Sequence, residues 1–189
     1  MLTTIIIVAV VVVLLLWGVA IYNRLVRLRM LVKEGFSGIT VQLRRRADLV
    51  PNLVSTVEGY AAHEKGVLTE VTAHRAEAIN AGGVAATAQA DAAFTGMLGR
   101  LMAVAEAYPE LKADANFRQL QGELSEIEEQ LQGARRYYNA TVRDLNGTIQ
   151  TFPNVLFARP LGFSEAEFYT DTDASIQQAP QVKFGTSAS

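Results

Sequence analysis

A chain of 189 residues, half of them apolar and 19% charged, with a net charge of −2, has the size of one ordinary domain. The lack of cysteine excludes a disulfide scaffold and any Cys-ligated zinc or iron–sulfur site. The average composition argues against disorder throughout, but it is uneven, because residues 1–23 carry no charged side chain and hold most of the excess hydrophobicity.

The first element is the stretch Leu2 to Ile21, LTTIIIVAVVVVLLLWGVAI. As a helix it measures about 30 Å, the hydrocarbon thickness of a bilayer. Gly18-Val19-Ala20 loosely resembles a signal-peptide cleavage site, but no basic side chain precedes the run and the run exceeds a signal core. It therefore reads as an uncleaved transmembrane anchor over residues 1–23, with Trp17 and Tyr22 at headgroup level. Arg24, Arg27, Arg29, Lys33, Arg44, Arg45 and Arg46 follow, against the single acid Glu34, so residues 24–46 carry +6. The positive-inside rule then places the N-terminus outside and the body of a single-pass protein on the cytoplasmic side of its membrane. From residue 47 onward ten basic and eighteen acidic side chains give −8. The bilayer is the first expected partner. Arg24, Arg27, Arg29 and Lys33 lie close enough to hold anionic headgroups, or serve only to set topology. Arg44 to Arg46 stand about 30 Å further along a continuous helix.

Apolar residues next recur in steps of three and four from Leu25 through Leu43, Ala47, Val50, Val54, Val57 and Ala61, and then Leu68, Val71 and Ala78. This is one helix face that continues directly from the anchor. Pro51 lacks a donor and disfavours helical geometry at Val50, so a kink or short break is expected there. Ala81-Gly82-Gly83 stops this helix. An alanine-rich helix with Phe94, Leu98, Leu101 and Ala105 on its buried face then runs to about Tyr108. Asp114 is the candidate N-cap of a long helix whose stripe runs from Phe117 through Leu131, Tyr138 and Leu145 to Phe152, before Pro153 ends it. The expected fold is all-α: a transmembrane helix continuing into a long antiparallel up-and-down bundle over residues 24–153, with an extended or partly disordered tail over 154–189. Within that tail Pro180 to Phe184 is a candidate docking segment, with Phe184 as its apolar anchor.

Catalytic and cofactor patterns are sparse. His63 and His74 lie eleven residues apart, about 16 Å on one helix, too far to share an ion. Glu70 and His74 are spaced i,i+4 rather than the i,i+3 of di-iron bundles. The sequence has no phosphate-cradling Gly-rich loop and no nucleophile elbow. The arginine run is not interleaved with aromatics and the body is acidic, which argues against nucleic acid. Neither a cofactor nor a metal is expected, and the rival reading is a metal-binding or enzymatic bundle using Glu64, Glu70 and His74. Glu64 and Arg75 fall in the apolar register, so each lies at a bundle end or is paired, with Arg135, Arg136 and Glu128 as candidate partners. Asn139 and Asn146 match glycosylation acceptors by chance.

Several segments carry a resemblance when taken together: Tyr22-Asn-Arg-Leu-Val26, Arg44-Arg-Arg-Ala-Asp48-Leu-Val-Pro51-Asn-Leu-Val54, Tyr108-Pro109, Ala134-Arg135-Arg136-Tyr137-Tyr138-Asn139 and the closing Pro180-Gln-Val-Lys-Phe184. The chain resembles the LemA family of bacterial membrane-anchored proteins over nearly its whole length. The resemblance implies one transmembrane helix in the bacterial inner membrane, a cytoplasmic helical bundle, and no enzymatic activity or cofactor. Relatives are associated with membrane-embedded proteases, membrane quality control and magnetosome membranes. The family's acid-Asn-Arg-Ile turn reads Glu128-Glu129-Gln130-Leu131 here, a departure. The expectation is a non-enzymatic scaffold or adaptor that self-associates and meets other membrane proteins, a membrane protease among them. The alternatives are the metal-binding bundle and a lipid-responsive sensor.

Overall fold

A computed structural model describes residues 1–61 and 63–170. Helix α1 (Leu2–Tyr60) is followed by α2 (Lys65–Asn80), α3 (Val84–Glu106), the short α4 (Pro109–Ala113), α5 (Ala115–Gln150) and the short α6 (Asn154–Ala158). The all-α bundle is as the periodicity indicates.

Helix α1 is 59 residues long, about 90 Å, and carries the apolar stretch and the first bundle helix without interruption. Its N-terminal part is a candidate membrane span whose side chains are exposed in the isolated chain. From Ile21 onward one face is buried against α5, which runs antiparallel to it: Leu25 packs in a cluster with Leu145 and Ile149, Ile39 with Leu131 and Val142, and Val57 with Phe117. The two helices approach most closely at Gly35, where an added Cβ would stand 3.1 Å from the Tyr138 Cα. Gly35→Leu is therefore expected to force the pair apart and lower the unfolding free energy by about 1–3 kcal/mol in urea titrations of detergent-solubilised protein.

Helices α2 and α3 join α1 and α5 mainly in the half of the bundle far from the span, where Val50, Leu53, Val57, Val71, Phe94 and Leu101 form the largest core cluster, and the start of α3 reaches the middle cluster through Val84 and Ala88. Two boundaries differ from the sequence reading. The helix that the periodicity carries on to Ala81 reverses after Tyr60, so His63 lies in the turn and not on the helix of His74. The apolar register pauses between Ala61 and Leu68, and the chain must turn there for α2 to bury its own stripe back against α1. The second difference is at Pro51, where the helix continues without the short break that is one of the two expectations. Proline leaves the carbonyl of residue i−4, here Ala47, without its helical donor. The Nε–H of Arg75 on α2 donates to that carbonyl at 2.6 Å, and Asp48 lies 3.8 Å from the same guanidinium.

Asp114 caps α5 as expected, accepting from the Phe117 backbone N–H at 2.9 Å. That bond, with the Tyr60 hydroxyl as a lesser donor, holds its carboxyl below the usual carboxylate range. A lowered carboxyl stabilises the fold above its unfolded value and loses that contribution as pH falls through the folded value. The hydrogen-exchange protection of the first turn of α5, taken relative to the intrinsic exchange rate at each pH, is thus expected to fall at acid pH in the parent and to stay flat with pH in Asp114→Asn.

Beyond α6 the chain folds back along α5 in place of a third helix. The Asn146 side-chain amide donates to the Ala166 carbonyl and its oxygen accepts from the Ala166 N–H, at 2.9 and 2.8 Å. Asn139 does the same with Tyr169 at 3.0 and 2.9 Å. Seven residues of helix rise about 10.5 Å and three residues of extended chain cover about 10 Å, so the two asparagines match the pitch of a drawn-out segment running antiparallel to α5. Residues 163–170 are thus packed along the bundle, with Phe163 and Tyr169 buried. Pro180 to Phe184 lie outside the described residues. Replacing Asn139 and Asn146 together with alanine removes four hydrogen bonds worth about 1 kcal/mol each. Limited proteolysis is expected to cut the 163–170 segment first in that variant.

Candidate functional site: the buried polar centre and the membrane-proximal corner

Where α3 begins to accompany α1 and α5, four elements converge on Asp91. This carboxylate is fully buried on α3, in register with Thr87, Phe94 and Leu98. Its Oδ1 accepts from Arg46 Nη1 of α1 at 2.9 Å. Its Oδ2 accepts from Arg135 Nη2 of α5 and, at 2.7 Å, from the Tyr169 hydroxyl of the folded-back segment. Arg46 also donates to Thr95 Oγ1 at 2.9 Å and lies 3.4 Å from Glu128. Its guanidinium stands over the Phe94 ring, as that of Arg135 does over the Tyr169 ring. Burial above all, with the Asp91 carboxylate next, pushes the Tyr169 hydroxyl far above the ordinary tyrosine value. It therefore stays protonated and donates across the pH range of the folded protein. The Tyr138 hydroxyl, raised by burial and then by Glu167, donates to the Glu167 carbonyl at 2.7 Å. Two guanidiniums with one buried and one half-buried carboxylate are formally balanced, which is the condition for holding charge in a helical core.

The residues singled out from sequence divide between this centre and other places. Arg46 and Arg135 belong to the centre. Arg44 is exposed and pairs with Asp48 at 3.5 Å, Arg45 is exposed and donates to Gln130 at 2.7 Å, and Arg136 is exposed on α5. Arg75 does not meet Arg135, Arg136 or Glu128. It is used on α1, because the proline-orphaned carbonyl and Asp48 are nearer. Glu64 is half-buried at the start of α2, at the far end of the bundle. Glu70 pairs with Arg100 at 3.2 Å, and His74 with Glu77 at 2.9 Å. Asp91 and Tyr169 complete the centre without belonging to any motif of the sequence. Asp91 left a signal, an acid at a buried 3/4 position of an alanine-rich helix, whereas Tyr169 left none.

At the other end, Trp17 and Tyr22 meet the α6 corner. Trp17 contacts Phe157 edge-on with ring centroids 6.2 Å apart, and Tyr22 contacts Phe163 at 5.6 Å. The Arg29 guanidinium lies 4.4 Å over Phe163, while Arg24, Arg27 and Lys33 are exposed around the helix.

These features define a class: an all-helical bundle continuous with a candidate membrane span, its helices fixed to one another by a buried ionic centre. The sequence pattern of the LemA family matches residues 35–184, most of the chain, and the chain belongs to that family. It is similar to magnetosome proteins MamQ 1 and MamQ 2 of Paramagnetospirillum magneticum, each 27% identical over 81% of this chain. It is also similar to magnetosome protein MamQ of Magnetospirillum gryphiswaldense, at 25% identity over the same share. The chain spans 66%, just under two thirds, of the length of these relatives.

Proposed function

We propose that this protein is a non-enzymatic membrane-anchored scaffold or adaptor. In this reading the stretch Leu2 to Ile21 spans the inner membrane, and the bundle faces the cytoplasm and self-associates beneath it. The unbroken helix α1 carries the proposal, since an exposed apolar stretch and the first bundle helix form one rigid rod and the height and tilt of the bundle follow the span. The +6 collar supports the orientation. The buried centre supports a structural use of charge, because Arg46, Asp91 and Arg135 are aimed at one another inside the bundle. Relatives named as magnetosome proteins support a role in organising a membrane compartment. Other membrane proteins, including membrane-embedded proteases in quality control, are the partners this reading admits.

Lysine crosslinking in native membranes followed by mass spectrometry tests it. Crosslinks between copies of the same peptide are the expected result. A chain that stays monomeric at native membrane density refutes self-association, and a bundle that protease reaches from the outer side of intact cells refutes the orientation.

A further inference from the structure

We propose that the corner from Phe152 to Leu161 is a second membrane contact, a wedge seated among the acyl chains of the leaflet next to the bundle. The inference rests on the reading of Leu2 to Ile21 as a membrane span. Phe152, Val155, Leu156, Phe157 and Leu161 are 76, 46, 59, 45 and 44% exposed, a cluster of large apolar side chains in one short corner. Such a patch marks an interaction surface.

Its occupant follows from its neighbours. Phe157 and Leu161 face Val11, Leu15 and Trp17 across an apolar groove of about 480 Å³, so the patch is continuous with the exposed side of the span. Trp17 lies four residues inside Ile21, about 6 Å along the helix, and interfacial helices bury their apolar face about 5–10 Å deep. Val11, at the far end of the groove, lies about 15 Å inside Ile21, so the corner reaches from the depth where lipid chains begin into the chains themselves.

Its backbone also suits that medium. The N–H groups of Val155, Leu156, Leu161, Gly162 and Phe163 donate to the carbonyls of Thr151, Pro153, Phe157, Arg159 and Ala158, all within 2.9–3.1 Å. Asn154 turns its amide back to the Thr148 carbonyl at 3.0 Å. Internal pairing of this kind is what a segment without water requires. Buried Ala158 and Phe163 fix the wedge to α1 and α5, Arg29 stacks on Phe163, and exposed Arg159 borders the polar groove with Ser164 and Glu165 rather than the apolar one, so both cations lie on the headgroup side of the wedge. A single span leaves a bundle free to swivel about its own axis, whereas two contacts fix the face that the bundle presents along the membrane.

The chain has no cysteine, so single labels are clean. The full-length protein in liposomes carries an environment-sensitive fluorophore at Leu156→Cys, at Val8→Cys in the span, or at exposed Gln121→Cys far along α5. Leu156 is exposed, so its replacement removes no core packing. The wedge predicts that the Leu156→Cys label is quenched by brominated acyl chains as the Val8→Cys label is, and severalfold less by aqueous iodide than the Gln121→Cys label. Lipid quenching at Val8→Cys with iodide quenching at Leu156→Cys overturns the wedge and leaves the anchor standing. Iodide quenching at Val8→Cys itself overturns the anchor and the wedge with it. Shielding of the Leu156→Cys label from both quenchers, with disulfide crosslinking between copies of the unlabelled Leu156→Cys variant on adding a mild oxidant, assigns the patch to a second chain and overturns the lipid assignment.

Discussion

Asp91→Asn is expected to lower the unfolding free energy by about 3–5 kcal/mol, as much as truncating a large side chain of the hydrophobic core. The side chain keeps its size and one carbonyl acceptor but loses the charge that neutralises Arg46 and Arg135 in a site where Asp91 is fully buried and Arg46 only 3% exposed. The penalty comes from the guanidiniums left without their counterion rather than from the lost bonds themselves. The combined replacement Arg46→Met, Asp91→Leu, Arg135→Met and Tyr169→Phe should therefore be much less destabilised than Asp91→Asn alone, since it leaves no fully buried charge at the centre and the one remaining carboxylate, Glu128, is half-exposed to water. Urea titration of the detergent-solubilised chain checks both variants. A combined variant at least as unstable as the single one would show that the network, and not merely its neutrality, holds the helices together.

Arg75→Met is expected to cost about 1–3 kcal/mol, because it leaves the Ala47 carbonyl buried without a donor. The dependence on Pro51 is the sharper test. Pro51→Ala restores a backbone N–H that reaches the same carbonyl within the helix, so Arg75→Met should cost markedly less in that background. Pro51→Ala alone should stabilise α1, since proline inside a helix costs about 3 kcal/mol. A double-mutant cycle reads the coupling directly. Equal losses with and without Pro51 would mean that Arg75 acts through packing or through Asp48.

This pair also shows how the sequence both informs and misleads. Arg44-Arg-Arg46-Ala-Asp48-Leu-Val-Pro51 was readable as a motif, and Pro51 as a threat to the helix. In the fold the same eight residues divide into an arm of the buried centre at Arg46, an orphaned carbonyl at Ala47, a partner for Arg75 at Asp48 and the proline itself. Local propensity registers the missing donor, but the replacement comes from a helix more than twenty residues away.

The sequence by itself determined the anchor-like stretch, the basic collar, the long stripe of α5, its Asp114 cap and the stop at Gly82-Gly83. Each is written in periodicity, charge or capping chemistry within a few turns of chain. Only the tertiary structure decided that α1 reverses at Tyr60, that Asp91 gathers Arg46, Arg135 and Tyr169, and that residues 163–170 lie along α5 on Asn139 and Asn146. These features pair groups 20 to 78 residues apart. A buried charge or an unmatched carbonyl specifies that a partner is needed, and the packing of the helices determines which group is near enough to serve.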